Sequence, residues 1–146
     1  MRNGAGEVHI LLVEDNPGDV RLTLEALHDG RISNQVTVVH DGEEALDFLR
    51  RRGKHSDADR PHLVLLDLNL PKKDGREVLE EVKSDPVLHR IPVIVLTTSS
   101  AERDVLLSYD LHANCYIKKP IDYEEFMGAI RGIENFWTKI VRLPPE

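Results

Sequence analysis

Five short apolar runs, each followed by a longer stretch of helical spacing, constrain the fold of this chain more than any other feature. The runs are Val8–Val13, Gln35–His40, Leu63–Asp67, Val93–Thr97 and Asn114–Lys118. Three of them are apolar at nearly every position, as expected of parallel strands that are covered by helices on both faces. The alternation predicts an α/β fold, a doubly wound parallel sheet of five strands.

Length, charge and cysteine content limit the classes of protein to which the chain can belong. Its 146 residues fit one domain, and neither an internal repeat nor an interdomain linker interrupts them. No apolar run is long enough to span a membrane. The net charge of −7 argues against nucleic-acid binding, and Cys115, the only cysteine, cannot form an intramolecular disulfide. Since no signal-peptide pattern follows Met1, we expect a cytoplasmic protein.

Polar side chains follow four of the predicted strands, at the point where each strand ends. Glu14 and Asp15 follow the first, Asp67 ends the third, Thr97 ends the fourth, and Lys119 follows the fifth. Ligands of doubly wound sheets bind at the carboxyl ends of the strands. We therefore expect three acids, a hydroxyl and an ammonium group to meet at one edge of the sheet.

An acidic cluster of this kind favours a divalent cation. Neighbouring carboxylates repel one another unless a hard cation neutralises them, and oxygen ligands suit Mg²⁺. A lysine and a hydroxyl beside the cation can hold the oxygens of a phosphoryl group during in-line transfer. One carboxylate can then act as nucleophile and form an aspartyl phosphate, while the other two hold the cation. Asp67 is the predicted nucleophile because it lies centrally between the other strand ends.

The same residues occur in motifs that resemble the receiver domain of two-component response regulators. The motifs follow one another in order along residues 8–141, at the ends of predicted strands. They are Glu14-Asp15, Leu65–Pro71, Pro92–Thr97, Tyr116 and Lys119-Pro120. Three further segments resemble the single-domain regulators that partner bacterial phytochrome histidine kinases: Asn16–Arg21, Leu70–Gly75 and Ser108–Tyr116.

The resemblance implies a fold, a cofactor and a partner. The fold is the flavodoxin-like (βα)5 receiver with strand order 2-1-3-4-5, a single domain over residues 1–146 with its core at about 8–141 and no output domain. Asp67 would accept a phosphoryl group from a sensor histidine kinase, here of the phytochrome type. Mg²⁺ or Mn²⁺ would be held by Glu14, Asp15, Asp67 and the backbone carbonyl of Asn69.

The resemblance also implies how phosphorylation is detected. Thr97 would bind a phosphoryl oxygen, Lys119 would pair with the new charge, and Tyr116 would rotate inward as Thr97 moves. These changes would bias an interaction surface toward a downstream phosphotransfer or target protein. The chain is expected to be no enzyme beyond its own Mg²⁺-dependent phosphorylation and dephosphorylation, and to need neither nucleic acid nor a membrane.

Three positions around the site are candidates for tuning the lifetime of the phosphoryl group. Asn69 and Ser99 line the predicted path of the attacking water. Thr98 stands where receivers usually have Ala or Gly, so its branched side chain is expected to narrow access to the phosphoryl group. Glu14 also departs from the common pattern, in which an Asp is frequent, and adds one methylene to a cation ligand.

The last helical stretch, Asp122–Val141, carries an apolar stripe that is longer than one sheet needs. Its final residues lie about a turn beyond the expected end of the sheet. We expect them to form a homodimer contact together with residues of the predicted fourth helix. The candidates are Leu106, Tyr109, Phe136, Trp137 and Ile140.

Other interpretations of the same residues remain open at this point. A Mg²⁺-dependent phosphohydrolase would also form an aspartyl phosphate, but such enzymes commonly carry an Asp as general acid where this chain has Asn69. A constitutive pseudo-receiver would bind its partner without phosphorylation. In purely structural terms, Asp67 would cap a turn, Glu14 and Asp15 would be acids favoured at a helix start, and Tyr116 would be half-buried packing.

Overall fold

The computed structural model describes residues 8–28, 34–68, 70, 72–97 and 115–118, together with Glu124 and Gly128, both helical. Its strands are β1 Val8–Val13, β2 Asn34–Val39, β3 Leu63–Asp67, β4 Val93–Thr97 and β5 Cys115–Lys118. The connecting elements include α1 Pro17–His28, α2 Gly42–Leu49, α3 Gly75–Ser84 and the 3₁₀ turns Gly53–His55 and Leu88–Arg90. Across these ranges, no helix has the length and apolar character needed to cross a membrane.

The five strands form one sheet in the order β2-β1-β3-β4-β5, and every neighbouring pair is parallel. This order confirms the predicted flavodoxin-like fold. On the two central strands, Leu12 lies opposite Leu65, which in turn lies opposite Ile94 of β4. The strand order reverses between β1 and β3, and a doubly wound sheet opens a crevice at such a point.

Alternate residues of the central strands pack into two separate apolar clusters. On β1, Leu11 and Val13 belong to the cluster formed with α2 and α3, whereas Ile10 and Leu12 belong to the cluster formed with α1. The residues of β3 divide between the clusters in the same way, and the whole strand is buried. Burial on both faces explains why these strands appear in the sequence as continuous apolar runs.

The helices begin at the capping signals of the sequence. α1 begins with Pro17, whose missing N–H costs nothing at the first helical position. Asp41 caps α2 by accepting the N–H of Glu44 at 2.8 Å. Asp74 caps α3 in a reciprocal capping box with Glu77. These caps fix the direction in which each helix leaves the carboxyl edge of the sheet.

The second and fifth strands differ slightly from the ranges predicted from the sequence. β2 runs over Asn34–Val39, one residue earlier than the predicted Gln35–His40. The last ladder pair is Val39 with Val13, and the carbonyl of Val39 accepts the N–H of Glu14 at 3.0 Å. The N–H of His40 faces away from β1 and lies 3.4 Å from Glu44 Oε1. β5 begins at Cys115, and the preceding residue of the predicted range lies outside the described residues.

At the amino ends of the strands, two histidines link β1 to the residue that precedes β3. The backbone N–H of His9 donates to Nδ1 of His62 at 2.9 Å, and the two rings meet edge to face with centroids 5.7 Å apart. Nδ1 can accept this bond only while it carries no proton. Burial, followed by the charge of His9, lowers the pKa of His62. The fold therefore favours neutral His62.

The lowered pKa of His62 predicts that the stability of the fold depends on pH. The lowered pKa means that the unfolded chain binds a proton before the folded chain does. The contribution of neutral His62 to the free energy of unfolding is complete above the unfolded-state pKa of about 6.5. It is lost as the pH falls through the lower folded-state pKa. Between about pH 7.5 and about pH 5.5, the wild type should lose more unfolding free energy than His62→Asn, whose amide oxygen accepts the same bond without titrating. Urea unfolding at both pH values measures the losses, and equal losses would contradict this role.

Candidate functional site

Three carboxylates meet at the carboxyl edge of the sheet. Glu14 and Asp15 directly follow β1, and Asp67 is the last residue of β3. Because β1 and β3 are neighbours, the side chains converge, and carboxylate oxygens of all three residues lie within 4.8 Å of one another. The sheet order thus brings these acids together, as expected from the strand ends.

The cluster combines two buried acids with an exposed one. Glu14 has 0% and Asp67 has 3% of its surface exposed, whereas Asp15 is exposed. Negative charges this close repel one another strongly where water is scarce. A divalent cation removes that repulsion, and carboxylate oxygens are the ligands that Mg²⁺ and Mn²⁺ prefer. The donor set therefore fits such a cation, and Asp15 marks the side that is open to solvent.

The backbone of Glu14 is tied to the end of β2. Its N–H donates to the carbonyl of Val39 at 3.0 Å, and its carbonyl accepts a hydrogen bond from Nδ1 of His40 at 3.2 Å. Its carboxylate accepts the N–H of Asn16 at 3.3 Å, and Asn16 caps α1 by accepting the N–H of Asp19 at 2.9 Å. The amino end of α1, which favours negative charge, therefore begins directly after the acids.

The loop after Asp67 is packed so closely that it requires a glycine. Gly75, the first residue of α3, donates its N–H to the carbonyl of Leu68 at 3.0 Å. A β-carbon at Gly75 would lie 2.4 Å from the carbonyl oxygen of Asp67 and 2.6 Å from Cα of Leu68. These are backbone atoms, so no rotation of a side chain could relieve the overlap. The start of α3 thus rests directly on the backbone of Asp67.

A second close contact joins this loop to α2. A β-carbon at Gly42 would lie 2.0 Å from the carbonyl oxygen of Lys73. The side chain of Lys73 reaches α3, where its Nζ lies 2.7 Å from Glu81, and Arg50 lies 3.1 Å from the same carboxylate. The hydrogen bond from Lys73 lowers the pKa of Glu81, which therefore stays ionised. Contacts with α2 and α3 thus hold the loop after Asp67 on two sides.

Two more predicted site residues lie on the described strands. Thr97 ends β4 and pairs with Lys118 of β5, one position beyond the pair of Asp67 and Leu96. Its backbone therefore lies at the same edge of the sheet as the acids. Tyr116 lies within β5. The side chains of Thr97 and Tyr116 are outside what the structure describes.

The remaining predicted residues lie outside the described part of the chain, so their roles stay predictions. They are Asn69, Thr98, Ser99 and Lys119 of the site, and Leu106, Tyr109, Phe136, Trp137 and Ile140 of the expected dimer contact.

Three residues that shape the site were not predicted from the sequence. His40 contacts the backbone of a cation-ligand candidate, and Gly42 and Gly75 allow the close contacts of the loop after Asp67. The only signal in the sequence is that each glycine follows an aspartate that caps a helix. Such an Asp-Gly pair indicates a helix start, but it does not show which backbone will pack against the glycine.

Comparison with known proteins agrees with this geometry. Residues 10–131 match the response regulator receiver domain family. The response regulator Rcp1 of Synechocystis is 50% identical over 135 residues, which cover 92% of each chain. The phosphorylated cyanobacterial phytochrome response regulator RcpA is 52% identical, with a TM-score of 0.80 over 95% of this chain and 99% of its own. The Mn²⁺-bound form of Rcp1 is 49% identical, with a TM-score of 0.79 over 94% and 99%.

The family match and the acidic cluster decide several of the predictions. They confirm the resemblance to receivers and the narrower likeness to phytochrome response regulators. A cluster of one Glu and two Asp is typical of the cation site of receivers, which confirms the prediction of Mg²⁺ or Mn²⁺ as cofactor. The family also implies a histidine kinase as partner. The chain thus belongs to the response regulator receiver domain family, and it serves two-component signalling as a phosphoacceptor.

Proposed function

We propose that Asp67 is the residue of this receiver that accepts the phosphoryl group. The observation that carries the proposal is its place at the end of β3, almost completely buried and within 4.8 Å of two further carboxylates. A carboxylate oxygen of Asp67 attacks the phosphorus of a phosphohistidine on the kinase. The phosphorus–nitrogen bond breaks, and the histidine nitrogen keeps the electron pair. The product is an acyl phosphate on Asp67.

Glu14, Asp15 and Asp67 hold the divalent cation, together with the backbone carbonyl of Asn69. When bound, the cation neutralises charge on the carboxylates and on the phosphoryl oxygens. Glu14 is buried and its backbone is fixed by β2, so it sets the inner boundary of the site. Asp15 is exposed, so it lies on the side of the site that is open to solvent. The Mn²⁺-bound structure of the similar protein Rcp1 supports this assignment.

Thr97 and Lys119 respond to the new phosphate. Thr97 binds a phosphoryl oxygen, Lys119 pairs with the charge, and Tyr116 rotates inward as Thr97 moves. The place of Thr97 at the end of β4, on the same edge as Asp67, supports this role. Three neighbouring residues set the lifetime of the acyl phosphate by controlling access of water: Asn69, Thr98 and Ser99.

The chain works as a single receiver domain whose output is a change in affinity for another protein. Its covalent chemistry is limited to its own phosphorylation and dephosphorylation. A phytochrome-type kinase is favoured because the similar RcpA is a phytochrome response regulator. The downstream partner is a phosphotransfer or target protein. A homodimer forms through the last residues of the C-terminal apolar stripe together with residues of the predicted fourth helix. The cytoplasm is the compartment that fits, because histidine kinases draw on its ATP.

Transfer from an autophosphorylated phytochrome-type histidine kinase tests this function. With Mg²⁺ present, we expect an adduct that shifts the intact mass, that hydroxylamine removes as it removes acyl phosphates, and that does not form in excess EDTA. No adduct, or one that resists hydroxylamine, would overturn the proposal. Rapid turnover of unrelated phosphoesters would instead favour the phosphohydrolase, and partner binding that ignores phosphorylation would favour the pseudo-receiver.

A further inference from the structure

His40 directly follows β2 and reaches the loop that carries the acidic cluster. Its Nδ1 lies 3.2 Å from the carbonyl oxygen of Glu14. Since a carbonyl oxygen can only accept a hydrogen bond, Nδ1 carries the hydrogen and His40 is the donor. The residue is exposed, so burial of an apolar surface does not explain its orientation.

This contact completes the attachment of Glu14 to β2. The N–H of Glu14 is bound by Val39 and its carbonyl by His40, so two consecutive residues hold both of its backbone polar groups. The backbone of Glu14 sets the point and direction from which its side chain starts, so a rotation of this backbone displaces the ligand oxygens and forces the side-chain torsions away from their preferred values. Divalent cations bind within narrow distance limits. Fixing the backbone of Glu14 therefore favours cation binding.

His40 is in turn attached to α2. Its N–H lies 3.4 Å from Glu44, a long and weak hydrogen bond. The carboxylate of Glu44 also contacts Nζ of Lys54 at 3.2 Å and Nε2 of His55 at 3.1 Å. Burial would raise the pKa of Glu44, but the hydrogen bonds from His55 and Lys54 outweigh it and lower the pKa. An ionised Glu44 thus accepts bonds from Lys54 and His55 and adds a weak contact to the backbone of His40.

We propose that His40 is a positioning residue of the divalent-cation site. By fixing the carbonyl of Glu14, it raises the affinity for the cation while touching neither the cation nor the phosphoryl group. The proposal rests on the cation site of the proposed function and adds a residue to it. Outer partners of metal ligands contribute about 10-fold to 100-fold to affinity, and water can partly replace an exposed donor, so we expect an effect of about tenfold.

Three variants test whether His40 positions the cation ligand Glu14 or only stabilises the fold. His40→Leu removes the donor and keeps much of the bulk, whereas His40→Asn keeps an amide N–H close to the place of Nδ1. The matched control is His89→Leu. His89 is also exposed, and its Nδ1 also lies against a backbone carbonyl, that of Asp85 at 3.0 Å. It belongs to the turn that precedes β4, at the opposite edge of the sheet.

Calorimetric titration of the cation-free proteins with Mn²⁺, without a phosphodonor, measures the affinity directly. We expect the Kd of His40→Leu to rise about tenfold, and those of His40→Asn and His89→Leu to stay near the wild-type value. In EDTA, His40→Leu and His89→Leu should show similar small decreases in unfolding midpoint, because each loses one bond from a side chain to the backbone. A merely structural role of His40 would lower the midpoint without changing the Kd.

Wild-type affinity in His40→Leu would overturn the proposal, and so would equal weakening in His40→Leu and His40→Asn. A wild-type protein that binds Mn²⁺ but accepts no phosphoryl group would overturn the proposed function and leave the role of His40 intact.

Discussion

The Asp67→Asn variant is expected to accept no phosphoryl group from a phosphorylated histidine kinase. An amide carries no negative charge and is a poor nucleophile, so the acyl phosphate cannot form at this position. The intact mass after incubation with the kinase and Mg²⁺ checks this result. Asp47→Asn is the matched control, because Asp47 is a half-exposed residue of α2 that pairs with Arg52. An adduct that forms on Asp67→Asn at the wild-type rate would show that another residue is the acceptor.

The same variant should also lose about half or more of the stabilisation that the cation provides. A cation at 100 times its Kd raises the free energy of unfolding by about 2.7 kcal/mol. Replacing one of three carboxylates with a neutral amide should reduce this gain by at least about 1.4 kcal/mol, the equivalent of a tenfold loss of affinity. Urea unfolding with Mg²⁺ and with EDTA measures the gain, which Asp47→Asn should retain in full. An undiminished gain in Asp67→Asn would exclude Asp67 as a cation ligand.

Gly75→Ala is expected to displace the loop after Asp67. The added methyl would overlap the carbonyl oxygen of Asp67 and Cα of Leu68, so the backbone itself must move. Overpacking of this kind should lower the free energy of unfolding by about 2 to 3 kcal/mol. A shift of about 1 Å at a reacting group costs about 100-fold in rate, and we expect a loss of that order in phosphoryl transfer. Urea unfolding and rapid-mixing kinetics with the kinase measure the two effects.

Gly53→Ala is the control for Gly75→Ala. It separates the effect of displacing the loop after Asp67 from the effect of a general loss of stability. Gly53 has a φ of +60°, which strains an alanine, yet its β-carbon would meet no described atom within 4 Å. We expect it to lose about 1 kcal/mol of unfolding free energy and to accept phosphoryl groups at the wild-type rate. If Gly75→Ala also accepted phosphoryl groups at the wild-type rate, the close packing of α3 on Asp67 would have no part in phosphoryl transfer.

The sheet could be predicted from the sequence because a strand that is buried on both faces appears as a nearly continuous run of apolar residues. The predicted and observed bounds agree for β1, β3 and β4, the strands whose apolar runs are nearly continuous. The predicted bounds of β2 were displaced by one residue, because β2 lies at the edge of the sheet and most of its described side chains are partly buried or exposed. The apolar pattern of such a strand is weak and does not mark where the strand ends.

The acidic cluster could also be predicted, because parallel strands bring their carboxyl ends to one edge. The contacts that hold the segments around the cluster in place could not be predicted. The contact of His40 with Glu14 and that of Gly42 with Lys73 join segments that are distant in the sequence, and neither belongs to a regular ladder. Their existence depends on how far apart two loops lie, which no periodicity of the chain records.

The neighbouring places of β1 and β3 in the sheet also affect the order in which the molecule can assemble. Glu14 and Asp67 are separated by all of α1, β2 and α2. That long connection must close before the two carboxylates can meet, and closing it costs entropy. A nascent chain therefore has no complete cation site until β3 has been synthesised and has paired with β1. The pairing of β1 with β3 thus completes the centre of the sheet and the cation site together. A partly folded chain that lacks this pairing cannot yet accept a phosphoryl group from a kinase.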